Sequence, residues 1–194
     1  MINHDENFAY IHIPKTGGYS VGEWLGEERP PLHYKACDLR EVYPEYFMFA
    51  TVRNTWEILV STYVFFHFEK FFSFEVFVND ALFSDDPELQ FYSKPGQLEW
   101  VMNDKDDFSV DFICNTNHLQ DHLNLLNEKT NIGQKKEVKH LNKTKKEDYR
   151  FFYKKDKWVE NVYKKYKKEI DLFGFEFENK YIQNENIFGK IIKP

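Results

Sequence analysis

Cysteine is nearly absent from this chain of 194 residues, which contains only Cys37 and Cys114. Two cysteines make neither the disulfide framework of a small secreted protein nor, without histidines at ligand spacing, a metal cluster. We therefore expect two buried free thiols and no metal site. Because 42% of the residues are hydrophobic, the chain can build a sizeable core without cross-links, and we expect one domain over residues 1–194.

A long apolar run is also missing at the start of the chain, where Asn3, His4, Asp5 and Glu6 stand among the first six residues. The sequence thus shows no signal peptide and no membrane span. A cytoplasmic protein without a membrane partner is the expectation that follows.

Positive charge is scarce overall but concentrated in one segment. Residues 133–168 hold 14 Lys+Arg against 5 Asp+Glu, a local charge of +9, which leaves −15 for the rest of a chain of net charge −6. Most of these lysines are expected to form a solvated helix face, and the others suit a polyanionic ligand. The acidic balance and the lack of a recognised nucleic-acid module argue against nucleic acid as that ligand.

Short apolar segments alternate with amphipathic ones, a pattern that predicts an α/β fold with a central, mostly parallel sheet flanked by helices. Strands are predicted at residues 8–13, 47–52 and 110–114, and helices at residues 19–27, 118–129 and 156–173. A further helix follows the second strand, because apolar side chains recur there at helical spacing. Gly174 is the predicted C-cap of the last helix.

A glycine-rich loop, Pro-Lys-Thr-Gly-Gly-Tyr-Ser at residues 14–20, follows the first predicted strand. Glycines in this place let backbone N–H groups approach an anion, and the next helix presents its positive end to the same charge. Lys15 precedes the glycines, whereas a Walker A loop places its lysine after them. The loop therefore predicts a phosphate site that is not a standard ATP site.

A second anion motif follows the second strand, as Val-Arg-Asn at residues 52–54 with Trp56, Glu57 and Ser61 further along. Arg53 stands at the carboxyl end of a predicted central strand, where open α/β sheets place their ligands. A guanidinium at such a point can hold a phosphate through two parallel hydrogen bonds. Arg53 is therefore a second candidate phosphate ligand.

The order of these motifs resembles that of sulfotransferases that use 3′-phosphoadenylyl sulfate (PAPS), above all the carbohydrate-type, Golgi-like members and their small bacterial or phage relatives. Residues 140–153 and 171–178 resemble the terminal elements of the same proteins, so the resemblance covers nearly the whole chain. It implies a P-loop-like three-layer fold. It also implies PAPS as the cofactor, adenosine 3′,5′-bisphosphate as its product, and no metal.

The same resemblance implies roles for individual residues. His33, in a His-x-x-Ala stretch between the motifs, matches the position of a catalytic base. Lys15 would stabilise the leaving phosphate oxygen, and Lys143 would lie over the cofactor. The implied cofactor-binding residues are Lys15, Thr16, Gly17, Gly18, Tyr19, Ser20, Arg53, Ser61 and Lys143.

The activity expected from the resemblance is transfer of a sulfuryl group from PAPS to an acceptor hydroxyl, with a carbohydrate or another small molecule as the acceptor. The chain departs from the family pattern at Tyr19, Thr55, Ile58, Asn115 and Asn117. Two alternatives therefore stay open. One is a protein that binds PAPS or its product without turnover, and the other, less favoured, is a P-loop kinase acting on a small molecule.

Overall fold

The computed structural model describes residues 1–27, 32–83, 96–134, 136–139 and 147–192. Within these ranges the chain is an α/β protein with four strands and seven α-helices. It divides into two compact units. The first, which we call the sheet unit, consists of residues 1–52, 97–142 and 184–194, and the second, the helical unit, consists of residues 53–96 and 143–183.

The sheet has the strand order β1-β2-β3-β4, and β2, β3 and β4 run parallel while β1 is antiparallel to β2. The strands are β1 (Ile2–Asn3), β2 (Phe8–Ile11), β3 (Phe47–Val52) and β4 (Phe112–Asn115). Nearly all residues of the parallel strands are buried, as expected for strands covered on both faces. The predicted mostly parallel sheet is confirmed, with an additional antiparallel edge strand.

The helices, in chain order, are α1 (Gly18–Trp24), α2 (Ala36–Val42), α3 (Thr55–Phe65), α4 (Phe74–Asn79), α5 (Leu98–Val101), α6 (Leu119–Thr130) and α7 (Asp156–Phe173). The predicted bounds hold for β3 and α7, and α7 ends at Gly174 in a left-handed conformation, as predicted. Helix α1 is shorter than predicted and stops at Trp24. Strand β2 stops at Ile11, and β4 begins two residues late.

The core of the sheet unit forms where α1 and α6 meet one face of the sheet. Alternate strand residues contribute to it, because successive side chains of a strand point to opposite faces. This cluster contains Phe8, Tyr10, Phe49, Phe112 and Cys114 from the strands, Val21 and Trp24 from α1, and Leu119, Leu123 and Leu126 from α6. Cys114 is therefore the buried thiol that was predicted, whereas Cys37, beside exposed Asp38 at the start of α2, is only partly buried.

In the helical unit, α7 packs against α3 and α4. Trp56 on α3 donates its indole N–H to the carbonyl of Val159 on α7 at 3.1 Å. Thr55 donates its hydroxyl to the buried carboxylate of Glu169 at 2.7 Å. These bonds give the indole N–H of Trp56, the hydroxyl of Thr55 and the carboxylate of Glu169 a partner, which the burial of such groups requires. No helix in the described ranges is both long and apolar enough to cross a membrane.

Candidate functional site

The loop after β2 has an unusual backbone. Lys15 has φ 67° and Gly17 has φ 84°, so both are left-handed, and α1 begins at Gly18. For a lysine this conformation costs about 1–2 kcal/mol, and strain of this kind collects at functional sites. Gly17 and the helical Gly18 have opposite hands, and such a pair turns consecutive backbone N–H groups toward one side to form a concave anion site.

Thr16 supports this loop from inside. Its hydroxyl is buried, lies 2.8 Å from the carbonyl of Ile13 and 3.0 Å from the hydroxyl of Thr51 on β3. Thr51 in turn lies 2.6 Å from the phenol of Tyr10. Because the carbonyl of Ile13 can only accept, each hydroxyl donates to the next group: Tyr10 donates to Thr51, Thr51 to Thr16, and Thr16 to Ile13. Burial raises the pKa of Tyr10 well above its usual range, so the phenol keeps its proton.

The first turn of α1 continues the loop. Its N–H groups at Gly18 and Tyr19 have no acceptor within the helix, and the first bond of the helix runs from Val21 to the carbonyl of Gly17 at 3.1 Å. Ser20 is buried, and Tyr19 is 45% exposed. Tyr19, where the chain departs from the sulfotransferase pattern, therefore exposes nearly half of its side chain to solvent. Because α1 spans only seven residues, the groups of this loop that could attract an anion are its backbone N–H groups and the Lys15 ammonium, and not the helix dipole.

His12 occupies the space beside Gly18. A Cβ atom built on Gly18 would lie 2.0 Å from Nε2 of His12, far inside van der Waals contact, so any larger residue at position 18 requires the His12 ring to move. The imidazole is buried and stacks on Tyr10 at 6.0 Å. His12 was not among the predicted site residues, although its place just before the loop is a signal for such a role.

His33 is exposed and lies against His12. Its Nδ1 is 2.7 Å from the backbone carbonyl of His12, and the two rings stack at 4.4 Å. Because a carbonyl oxygen only accepts, Nδ1 carries the proton of the neutral ring, and Nε2 keeps its lone pair. The edge of Trp100, at 5.9 Å, limits the ring on another side. The predicted catalytic base therefore presents a basic nitrogen held in one orientation.

A small pocket adjoins the loop on another side. It measures about 180 Å³ and is lined by residues 116–121 and Val138. Thr116 and Leu119 approach Gly17, at 3.8 and 3.9 Å from a Cβ built there. Asn117, one of the departures from the family pattern, lies in this wall. The pocket offers amide, imidazole and carboxylate groups together with two apolar side chains.

Arg53 and Ser61, the predicted residues of the second phosphate site, both lie in the helical unit. Arg53 donates to the buried carboxylate of Glu57 at 2.8 Å, and Lys180 approaches the same oxygen at 3.8 Å. The four-residue spacing of Arg53 and Glu57 is a signal for this ion pair. Ser61 is buried one turn beyond Glu57 on α3. Lys143 lies outside the described residues.

The structure thus brings Lys15, Gly17, Gly18 and His33 together in the sheet unit. Ser61 lies on α3 of the helical unit, and Arg53 lies just before that helix. Among the described residues, no three His, Cys, Asp or Glu side chains gather in a group that could hold a metal ion.

Comparison with protein-family models, curated proteins and solved structures finds no match to this chain. The loop, His33 and the motifs of the sequence are therefore the features that bear on the function.

Proposed function

We propose that this protein is a sulfotransferase that moves a sulfuryl group from PAPS to an acceptor hydroxyl group, with a carbohydrate as the first acceptor class to test. We also propose that its fold is of the P-loop-like three-layer type. One observation carries the proposal. The backbone of the loop is left-handed at Lys15 and Gly17. Near this loop lies His33, whose Nδ1 is hydrogen-bonded to a backbone carbonyl. An anion cradle with a lysine and an oriented base are the two components that sulfuryl transfer requires.

In this proposal the backbone N–H groups at Gly17, Gly18 and Tyr19 hold the 5′-phosphate, and Ser20 assists from the first turn of α1. Thr16 keeps the loop in shape through its bond to Ile13. Arg53 and Ser61 hold the 3′-phosphate, and Lys143 covers the nucleotide, as the family resemblance implies. Glu57 orients the Arg53 guanidinium through the hydrogen bond that it accepts at 2.8 Å.

The transfer itself needs one proton acceptor and one positive charge. Nε2 of His33 takes the proton of the acceptor hydroxyl while the acceptor oxygen forms a bond to sulfur. The bond between sulfur and the bridging phosphate oxygen breaks at the same time, and the Lys15 ammonium stabilises the charge that develops on that oxygen. The products are a sulfate ester, adenosine 3′,5′-bisphosphate and a proton released later from His33.

A labelled-PAPS transfer screen over glycans, phenols and small alcohols tests this activity. We expect wild-type protein to label one of these acceptor classes. Lys15→Ala should lower the rate by about 10²–10³-fold, and His33→Ala should lower it by about 10²–10⁴-fold. The control is Lys129→Ala, which removes an exposed lysine of α6 in the same unit. Full activity in Lys15→Ala would contradict the role of Lys15.

A second candidate function is nucleotide binding without turnover, which the departures at Tyr19, Asn115 and Asn117 favour. Calorimetric titration separates the candidates. Binding of adenosine 3′,5′-bisphosphate without any acceptor labelling would support this second candidate, and His33→Ala would then leave the binding unchanged. Tight binding of ATP with Mg²⁺, and none of the bisphosphate, would overturn both and favour the kinase alternative.

A further inference from the structure

His12 is in contact with both parts of the candidate site. Its ring fills the space at Gly18, where a Cβ would lie 2.0 Å from Nε2, and it stacks on His33 at a ring distance of 4.4 Å and an interplanar angle of 27°. Its carbonyl also accepts the Nδ1 proton of His33 at 2.7 Å. One residue therefore touches the phosphate loop through its ring and the proposed base through its ring and backbone.

The surroundings of His12 leave its ring little room to move. The ring is 7% exposed and is backed by Tyr10, which is fully buried and stacks on Phe49 at 5.0 Å. The hydroxyl of Tyr10 is held by Thr51. A buried ring between a rigid neighbour and a glycine backbone transmits displacement, because well-packed interiors deform little.

We infer that His12 is a positioning residue, whose ring between Gly18 and His33 keeps the His33 imidazole in the orientation and tautomer that a base requires. This inference rests on the proposed function only in that His33 acts there as the base. His12 transfers no proton in it. The ring makes the contacts with Gly18 and His33, so we expect phenylalanine to preserve them and a side chain without a ring to lose them.

Nitrogen NMR of the histidine side chains tests the inference without any substrate, at a pH where the rings are neutral. In wild-type protein the His33 signals should be those of the Nδ1–H tautomer. His12→Ala should convert them to an exchanging mixture of tautomers, because the exposed ring is then held by a single hydrogen bond in competition with water. His12→Phe should keep the wild-type signals. His4, whose Nδ1 pairs with the phenol of Tyr46 at 2.8 Å, serves as the internal control.

The variant Gly18→Ala tests the contact between the His12 ring and the loop by a change in the loop. Its methyl group displaces the His12 ring, so the His33 signals should change as in His12→Ala. The double variant His12→Ala with Gly18→Ala removes the clash, and it should look like His12→Ala alone rather than show the sum of two losses. Wild-type His33 signals in both folded single variants would overturn the inference.

The kinetic measurement separates this inference from the proposed function. If the protein transfers sulfate, His12→Ala should lower kcat by about 10–100-fold with a much smaller change in KM for PAPS, because misplacing a catalytic group by about 1 Å costs up to 10²-fold. His12→Phe should retain most of kcat. If the NMR results are as expected and wild-type protein transfers nothing, the proposed function fails and the positioning by His12 stands.

Discussion

Lys15 has a backbone conformation that most lysines avoid, and this can be measured. A left-handed lysine costs about 1–2 kcal/mol, which glycine does not pay. We expect Lys15→Gly to be more stable than Lys15→Ala by about 1 kcal/mol, and both variants to lose bisphosphate binding. Urea unfolding of the two variants gives the difference. Equal stabilities would mean that the loop relaxes and that no strain is stored at Lys15.

Because of His122, we expect the folded protein to lose stability in mild acid. Its Nδ1 accepts the N–H of Asn115 at 2.9 Å, and its ring stacks on Phe188. Burial, with a smaller contribution from His118, lowers the pKa of His122 from 6.5 to about 4. Below pH 6.5 the unfolded chain therefore binds a proton at His122 that the folded chain does not bind. The contribution of neutral His122 to the free energy of unfolding is complete above pH 6.5 and is lost as the pH falls toward 4.

The expected loss from His122 over this range is roughly 1–3 kcal/mol. His122→Asn is the matched variant, because its side-chain oxygen can accept the same N–H but does not titrate. The unfolding free energy of this variant should change less between pH 6.5 and 4 than that of wild-type protein. Equal slopes for the two proteins would assign the acid sensitivity to other groups.

At the scale of elements, one arginine connects α2 to the segments that precede β3 and β4. Arg40 donates to the carbonyls of Pro44, Tyr46 and Ser109 and to the carboxylate of Asp111 at 2.8 Å. The same carboxylate oxygen accepts the N–H of Met48 at 2.7 Å. Removing the guanidinium leaves a mostly buried carboxylate without its counter-charge, which is among the costly changes in a protein.

We expect Arg40→Ala to lower the free energy of unfolding by about 3 kcal/mol and Arg40→Lys to lower it less, because lysine keeps the charge but not the fork of donors. The control is Lys35→Ala, whose partner Glu99 lies 4.0 Å away in an exposed pair and contributes at most about 1 kcal/mol. Denaturant unfolding measures all three. A loss in Arg40→Ala no larger than in the control would contradict the element-linking role.

At the scale of the whole molecule, the charge works against any anionic ligand. A net charge of −6 repels a bisphosphate, so binding requires a local site that overcomes the average field. At a concentration of 100 times its Kd, adenosine 3′,5′-bisphosphate should stabilise the folded chain by about 2.7 kcal/mol, which raises Tm by about 5–10 °C for a chain of this size.

Thermal unfolding checks this prediction, with adenosine at equal concentration as the uncharged control. Lys15→Ala should lose most of the shift, and Lys129→Ala should keep it. An equal shift in Lys15→Ala would show that the bisphosphate binds away from the loop.

Much of the fold could be predicted because its strongest elements have strong local patterns. Helix α7 repeats its apolar residues over 18 positions and ends at a glycine, and β3 is a continuous apolar run. Strand β1 was not predicted, because two residues form no pattern by themselves. The ends of β2 and β4 were misplaced, because pairing with a neighbouring strand, and not local preference, decides where a strand stops.

The candidate site, like the fold, is partly predictable from the sequence and partly decided by long-range contacts. The glycines, Lys15, Arg53 and the order of the two motifs are visible in the sequence, because a backbone that approaches a phosphate needs glycine and positive charge at neighbouring positions. The contacts of His33 with His12, of Thr16 with Thr51 and of Gly18 with the His12 ring join residues between 6 and 35 positions apart. No local pattern reports them. They arise only when the sheet and the loops around it fold together and bring these distant residues into contact, and so the tertiary structure alone decides which nitrogen of His33 is basic.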